Sequence, residues 1–395
     1  MVSFPRLTLA SGPVDVSAET LRAMQKPVVY HYDPVFLETF RNTSELMAKV
    51  FQTKYDIVLM QAEAIAALEA AAASVIEPGT KVLNLVSGVF GKGFESWITK
   101  YGGETIEIAV PYNAAIDPED VRRAFVLDPE ISVVSVVHSE TPSGTINPVQ
   151  EIGRIARENG AITIVDTVSG LLSEDFSPED WGMDIAVAGP QKCLSGVPGM
   201  SLVSVSPEAW ARMEAMKKPL RGSFLSLLDW KTTWLENGRF PYTPSVSDVY
   251  ALESVLQQTL EEGVANVVAR HQVSARASRA AVRALGLELW AESEEISSSC
   301  CTAVTMPEGL DDASLRNTMR NKYGVMISGG YGDVAGKLFR LGHMGLSAHP
   351  TSVIAQIGVL ERSLVDIGHE VKLGEGVAAA LVEFANWDDA NRSYR

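Results

Sequence analysis

Ile162-Thr-Ile-Val-Asp-Thr-Val-Ser169 and, one candidate strand later, Ala188-Gly-Pro-Gln-Lys-Cys-Leu194 are the two stretches that decide the fold. The first reads as a buried strand with Asp166 at its carboxyl end. The second continues a strand over Asp184–Ala188 into a loop bounded by Gly189 and Pro190, which delivers Lys192. Ligands of open α/β sheets bind beyond the carboxyl ends of the strands, so an acid and an amine presented there reach one bound molecule.

Outward from these runs, short β-branched segments recur at Ile57–Met60, Lys81–Val86, Thr105–Ala109, Ser132–Val137 and Ser201–Val205. Between them lie helical patterns: the alanine-rich Glu63–Ile76, then Pro118–Ala124 and Val149–Glu158. Alternation of this kind predicts parallel strands joined by crossover helices, an open sheet covered on both faces. From Ser245 to Leu285 the pattern is long and helical, broken at Gly263. Strands then return at Thr302–Met306, Gly324–Ser328 and Lys337–Leu341. The expectation is an α/β protein with an N-terminal arm over 1–15, a large mostly parallel-sheet domain over 16–262 and a smaller C-terminal α/β domain over 263–395. A chain of 395 residues exceeds what one core usually serves, which agrees with that division.

Composition narrows the function. Apolar residues make up 46% and charged residues 21% of the chain, ordinary globular usage, which sets disorder and low complexity aside. A net charge of −16 repels phosphate backbones and anionic membranes, so neither nucleic acid nor a membrane is an expected partner. Three cysteines, two of them the adjacent Cys300 and Cys301, form no disulfide framework, and no secretory signal or membrane-spanning run is legible. A cytoplasmic protein acting on small molecules is the expectation, and no metal site is predicted.

One chemistry calls for the Lys192–Asp166 pair. A lysine forms a Schiff base with a pyridoxal aldehyde, and a carboxylate opposite the ring nitrogen keeps that nitrogen protonated, so the ring withdraws electrons from the substrate α-carbon. Either residue alone has an ordinary reading, Asp166 as a helix cap and Lys192 as a solvated loop charge. In this order and on adjacent strand ends they favour catalysis.

The runs AGPQKCLSGVPGM, VDTVS and FRLGHMG resemble the fold-type I aminotransferases of the alanine/serine-glyoxylate group. The segments LEAAAAS, LVSGVFGKGF, TPSGTINP, PYTPSVS and GKLFRLGHMG are similar, more closely, to the pyridoxamine–pyruvate transaminases, over almost the whole chain. The resemblance implies that Lys192 is the Schiff-base lysine, Asp166 the ring-nitrogen partner, Phe90 the aromatic stacked on the ring and Arg340 the clamp on the oxo-acid carboxylate. Physical arguments run alongside. Phe90 lies in the glycine-rich Ser87–Gly93, expected as a tight turn after a strand that lays a flat apolar face on a heterocycle. Arg340, between Phe339 and Leu341, is costly to bury unless a carboxylate pairs with it, whether a substrate's or the protein's own. Ser139, Thr141 and Ser143 follow a strand end, where they either bond the ring hydroxyl or Asp166, or merely build the turn at Pro142 and Gly144. His138 is expected to be buried and without a catalytic task. Val168, in the VDTVS run, joins the candidate ring-binding residues.

The phosphate cup sets the subtypes apart. Relatives hold the pyridoxal phosphate group at the start of the helix that here begins near Gln61-Ala-Glu63. Glu63 repels a phosphate dianion and accepts a hydrogen bond from a neutral 5′-hydroxyl, so this chain suits the unphosphorylated vitamin. The same position carries a glutamate in the pyridoxamine–pyruvate group. In Phe240-Pro-Tyr-Thr-Pro244 a phosphate-binding tyrosine of the glyoxylate enzymes is replaced by Phe240, and Thr243 is retained. By resemblance, Thr243 approaches a neighbouring subunit's site in a homodimer or homotetramer. Where a second substrate-binding arginine is expected, Ser328–Asp333 offers Tyr331. The expected reaction moves the amino group of free pyridoxamine to a 2-oxo acid, pyruvate by family default, giving pyridoxal and L-alanine in vitamin B6 degradation. Two alternatives stay open: a glyoxylate-type aminotransferase that retains pyridoxal phosphate (PLP), and a B6-binding protein without the chemistry.

Overall fold

Asp166 is the last residue of the strand Ile162–Asp166, the fourth of seven in the main sheet of the computed structural model, which describes residues 4–390. The strand order is Asp56–Met60, Ser201–Val205, Ile185–Ala188, Ile162–Asp166, Ile131–Val137, Lys81–Val86 and Glu104–Ala109. Parallel pairing joins the last five. The sheet is mostly parallel, as expected; the exception is Ser201–Val205, which is antiparallel to both neighbours. Its chain returns from Ile185–Ala188 through the Lys192 loop without a crossover helix, and such a direct return reverses direction.

Chain order reverses around Lys81–Val86, which has Glu104–Ala109 on one side and Ile131–Val137 on the other. A crevice opens at such a switch point beyond the carboxyl ends. The loops after Lys81–Val86, Ile131–Val137, Ile162–Asp166 and Ile185–Ala188 therefore share one rim.

The helix Ala64–Val75 buries residues on nearly every side, including Ala67, Ala70, Ala71 and Ala72 at zero exposure. Alanine leaves room for close approach to the sheet at little side-chain entropy cost. Its amino end lies at the rim. Amphipathic helices Val149–Glu158 and Pro118–Leu127 bury Ile152, Ile155, Val121 and Phe125. Among the helices that the sequence pattern does not announce are Pro34–Phe51, with its buried stripe of Phe36, Phe40 and Met47, and Val89–Lys100.

Two large hydrophobic cores form among the described residues, beside a small cluster of Ala303, Val334 and Leu338. One runs from Val14 through Val267 and takes in Cys300, Cys301 and Met344. The other joins Leu9 to residues between Val273 and Phe384. Gly263 separates the helices Val246–Glu262 and Val264–Ala284 with a φ of 88°. Cys301–Thr305, Leu338–Gly342 and Ser328–Gly329 form a three-stranded antiparallel sheet over the second core. The arm contributes Leu7–Thr8 as a parallel partner of Val325–Met326. Residues 1–3 of the arm and 391–395 of the C-terminal region lie outside the described residues.

Candidate active site

A cavity of about 390 Å³ occupies the rim crevice, a volume suited to a small-molecule ligand. Glu63, Phe90, Ser139, Asp166, Val168, Lys192 and Tyr331 line it; Thr141, Thr243 and Arg340 do not.

Asp166 Oδ1 accepts from the Val168 backbone N–H at 2.9 Å, the local turn that ends the strand. Burial pushes its carboxyl up to about 6, the Val168 N–H and Lys192 pull it down, and Glu63 adds to the rise. Burial also lowers Lys192 below the ordinary amine range. Its Nζ donates to the Ser11 carbonyl at 3.0 Å. Sequence reading assigned the arm no role, yet the arm meets the lysine. Ser11 is held in turn by Ser328 Oγ, 3.0 Å from the Ser11 N and from its Oγ.

Phe90 sits in the first turn of the helix Val89–Lys100, not in a free glycine turn as expected. Gly88 precedes the helix in an extended conformation, so the glycines serve close packing rather than a reversal. Cβ atoms at Gly88 and Gly91 would come within 2.4 Å and 3.2 Å of the Glu140 carboxyl group. Glu140, which sequence reading missed, is fully buried and accepts from Gly91 N at 2.7 Å and Phe90 N at 3.2 Å. Burial pushes it up to about 7, against those two N–H groups, with Asp166 adding to the rise. A glutamate between Ser139 and Thr141 carries no spacing signal, and only the register of the Ser139–Glu140 strand turns it inward.

Ser139 Oγ lies 2.7 Å from Ser298 Oγ, and the Thr141 hydroxyl donates to Ser169. Neither bonds Asp166. Thr141 is committed to Ser169, a cavity residue in the VDTVS run that sequence reading passed over. Ser143 bonds the Glu140 carbonyl and Thr145, the turn-building role. Buried His138 pairs with Thr167 at 3.1 Å, and burial holds it down at about 4.

Arg340 stands beside the cavity. Its Nε donates to the Gly329 carbonyl at 2.8 Å and its Nη1 to the Thr141 carbonyl at 2.9 Å. No ion pair of Arg340 occurs among the described residues; the nearby Asp312 is bonded to Arg316 instead. Two neutral carbonyls orient the guanidinium without neutralising it. Tyr331 is 60% exposed at the mouth, its ring centroid 6.4 Å from that of Phe90.

Glu63 is the cap of the helix Ala64–Val75. Oε2 accepts from Ile65 N at 2.9 Å and Oε1 from Gln191 Nε2 at 2.9 Å. It is solvent-accessible as well as on the cavity wall, so the capping and pocket-lining readings both hold. Phe240 is buried against Trp234, stacked at 4.5 Å and 8°, and against Phe40; it faces the core of its own chain. Thr243 is exposed away from the cavity.

An amine, a carboxylate and an aromatic face on one cavity are the donor set a pyridoxal-type ring requires. At the start of the Ala64–Val75 helix the Ile65 N–H is taken by the Glu63 carboxylate, whose charge would repel a phosphate dianion at that point. Among the described residues no cluster of His, Cys, Asp or Glu is arranged to hold a metal, and no helix is long and apolar enough to cross a membrane.

The pattern that defines the Aminotransferase class-V family matches residues 18–342. The chain belongs to that family. This class-V aminotransferase is 44% identical over 377 residues to the pyridoxamine–pyruvate transaminase of Mesorhizobium japonicum, covering 95% of this chain and 96% of that one. It is 32% identical to the L-aspartate–glyoxylate aminotransferase of Paracoccus denitrificans, over 93% of each. The crystal structure of the pyridoxamine–pyruvate aminotransferase from Mesorhizobium loti superposes on it with a TM-score of 0.95 at 43% identity, covering 97% of this chain and 98% of that one. The fold is thus that of the fold-type I aminotransferases.

Proposed function

We propose that this aminotransferase moves the amino group of free pyridoxamine to a 2-oxo acid, pyruvate foremost, giving pyridoxal and L-alanine. The observation that carries the reading is the Glu63 carboxylate on the cavity wall, capping the helix where a phosphate would otherwise bind. The 44% identity to a pyridoxamine–pyruvate transaminase supports it.

When bound, the pyridine ring supplies an electron sink for the amino-group carbon. Asp166 holds the ring nitrogen's proton. Phe90 would cover a ring face, Val168 and Ser139 line the same cavity, and Thr141 bonds Ser169 and Arg340. Lys192, whose amine burial lowers below its ordinary range, would hold pyridoxal through Nζ and, when free, would carry the proton between C4′ and the amino-acid α-carbon. Arg340 clamps the oxo-acid carboxylate while the neutral Tyr331 closes the mouth. Glu63, steadied by Gln191, accepts from the 5′-hydroxyl.

The two cores support a division into an arm over 1–15, a large domain over 16–262 and a small domain over 263–395. We place the enzyme in the cytoplasm, in vitamin B6 degradation, as a homodimer or homotetramer in which Thr243 serves the adjoining subunit. The glyoxylate-type relative at 32% identity favours one other reading, a resident PLP. Exhaustive dialysis separates them. The first reading expects loss of visible absorbance with activity on added pyridoxamine intact, and Lys192→Ala lowering turnover on the order of 10²–10⁴-fold. Absorbance that survives dialysis supports the second.

A further inference from the structure

The helix Val89–Lys100 begins with no side-chain cap of its own. Its first N–H groups are served instead from another strand, by Glu140 Oε2 on Phe90 N at 3.2 Å and Oε1 on Gly91 N at 2.7 Å. The carboxylate is completely buried, and no cation pairs with it among the described residues. An anion at a helix start is favoured by the helix dipole, but removing a carboxylate from water without a counter-charge costs more than that gain. Glycine at 88 is needed to admit it, since a Cβ there would lie 2.5 Å from Oε2, and at Gly91 a Cβ would meet Oε1 at 3.2 Å. The contact spans the switch-point crevice, tying the strand end beyond Ile131–Val137 to the element that carries Phe90.

We propose that Glu140 is a positioning residue, which acts through the backbone N–H groups of Phe90 and Gly91 to hold the Phe90 ring at the height and tilt needed to cover the pyridine. This rests on the reading that Phe90 stacks on a B6 ring, and it does not depend on whether that ring is phosphorylated. A rigid two-point contact at the helix start limits how far the ring can ride up or down as substrate enters. The carboxylate touches neither substrate nor reacting atoms.

The test is a double-mutant cycle with Glu140→Gln, Phe90→Leu and the pair, each assayed with pyridoxamine and with pyridoxamine 5′-phosphate. Pyridoxal dissociation constants from visible circular dichroism give a readout independent of turnover. Glu140→Gln is expected to raise the KM for the preferred amine and the pyridoxal Kd about tenfold, leaving the pyruvate KM within about twofold. Phe90→Leu should do the same, and the pair should be no worse than the poorer single variant. Glu140→Asp, which keeps the charge but reaches only one amide, should fall between wild type and Gln, and it replaces Gln in the cycle if that variant does not fold. Losses that multiply in the pair, or a pyruvate KM that rises in parallel, would overturn the assignment while leaving the proposed reaction standing. A wild type active on neither amine overturns both.

Discussion

Asp166 and Lys192 are both shifted by burial first, and for Asp166 the pull of the lysine is smaller than the rise that burial causes. The acid is raised to about 6 and the amine lowered, each by loss of water first. For the amine this is useful, since a neutral nitrogen is the nucleophile and the base. For the acid it sets a pH limit. In the proposed reaction Asp166 would accept the ring N–H only when ionised, and with its value raised to about 6 it is protonated below that pH in the free enzyme. The kcat/KM for pyridoxamine, which reports free-enzyme ionisations, should therefore fall on the acid side of about pH 6. A profile flat down to the ordinary carboxylate range near pH 4 would show that Asp166 is not the group required. Both residues were legible in the sequence because each follows a β-branched run that ends at the same sheet edge. Glu140 was not, because its significance depends on a strand only two residues long. Arg340 was legible as a buried cation, but its two carbonyl partners come from segments 11 and 199 residues away.

Elements bring the chemistry to the rim, and the N-terminal arm does so least visibly. Gly12, with φ at 95°, packs so close that a Cβ there would lie 2.5 Å from Lys192 Cδ and 2.8 Å from its Nζ. The lysine is the softer of the two, so Gly12→Ala should push the amine off the Ser11 carbonyl. Turnover is expected to fall on the order of 10²-fold, as for an ångström-scale misplacement, while strain at that φ costs only about 1–3 kcal/mol of stability. Single-turnover rates beside thermal unfolding separate the two effects; full activity with reduced stability would remove the arm from the site. The sheet strands and the alanine-rich helix could be read from composition because burial on both faces writes itself as uninterrupted apolar or small residues. The start of the helix Val89–Lys100 looks like a turn in sequence because Gly88, Gly91 and Gly93 fall close together and resemble loop chemistry, whereas Gly88 and Gly91 clear space for the Glu140 carboxylate and the strand behind. The antiparallel Ser201–Val205 strand was equally opaque: direction is not encoded in a run of apolar residues.

At the scale of the whole molecule, the site draws on both hydrophobic cores. Lys192, Asp166, Phe90 and Glu63 come from segments around the first, while Arg340, Tyr331 and Ser11 come from segments around the second or from the arm packed on it. A ligand that engages both sides stabilises the folded chain by mass action, about 2.7 kcal/mol at a hundredfold excess over Kd. Pyridoxal with pyruvate should thus raise the thermal midpoint of wild type, and Lys192→Ala should shrink that rise; a midpoint indifferent to both compounds would argue against a site at the rim. We propose that the Glu63 carboxylate at the start of the Ala64–Val75 helix favours a hydroxyl over a phosphate. This claim is tested most directly by the ratio of kcat/KM for pyridoxamine to that for pyridoxamine 5′-phosphate, with pyruvate as acceptor, in wild type and in Glu63→Ala. The account expects wild type to favour the free amine by on the order of 10²-fold, about 2.7 kcal/mol, and the variant to lose most of that preference. A wild type that prefers the phosphorylated amine, or a ratio unmoved by removing Glu63, would contradict it.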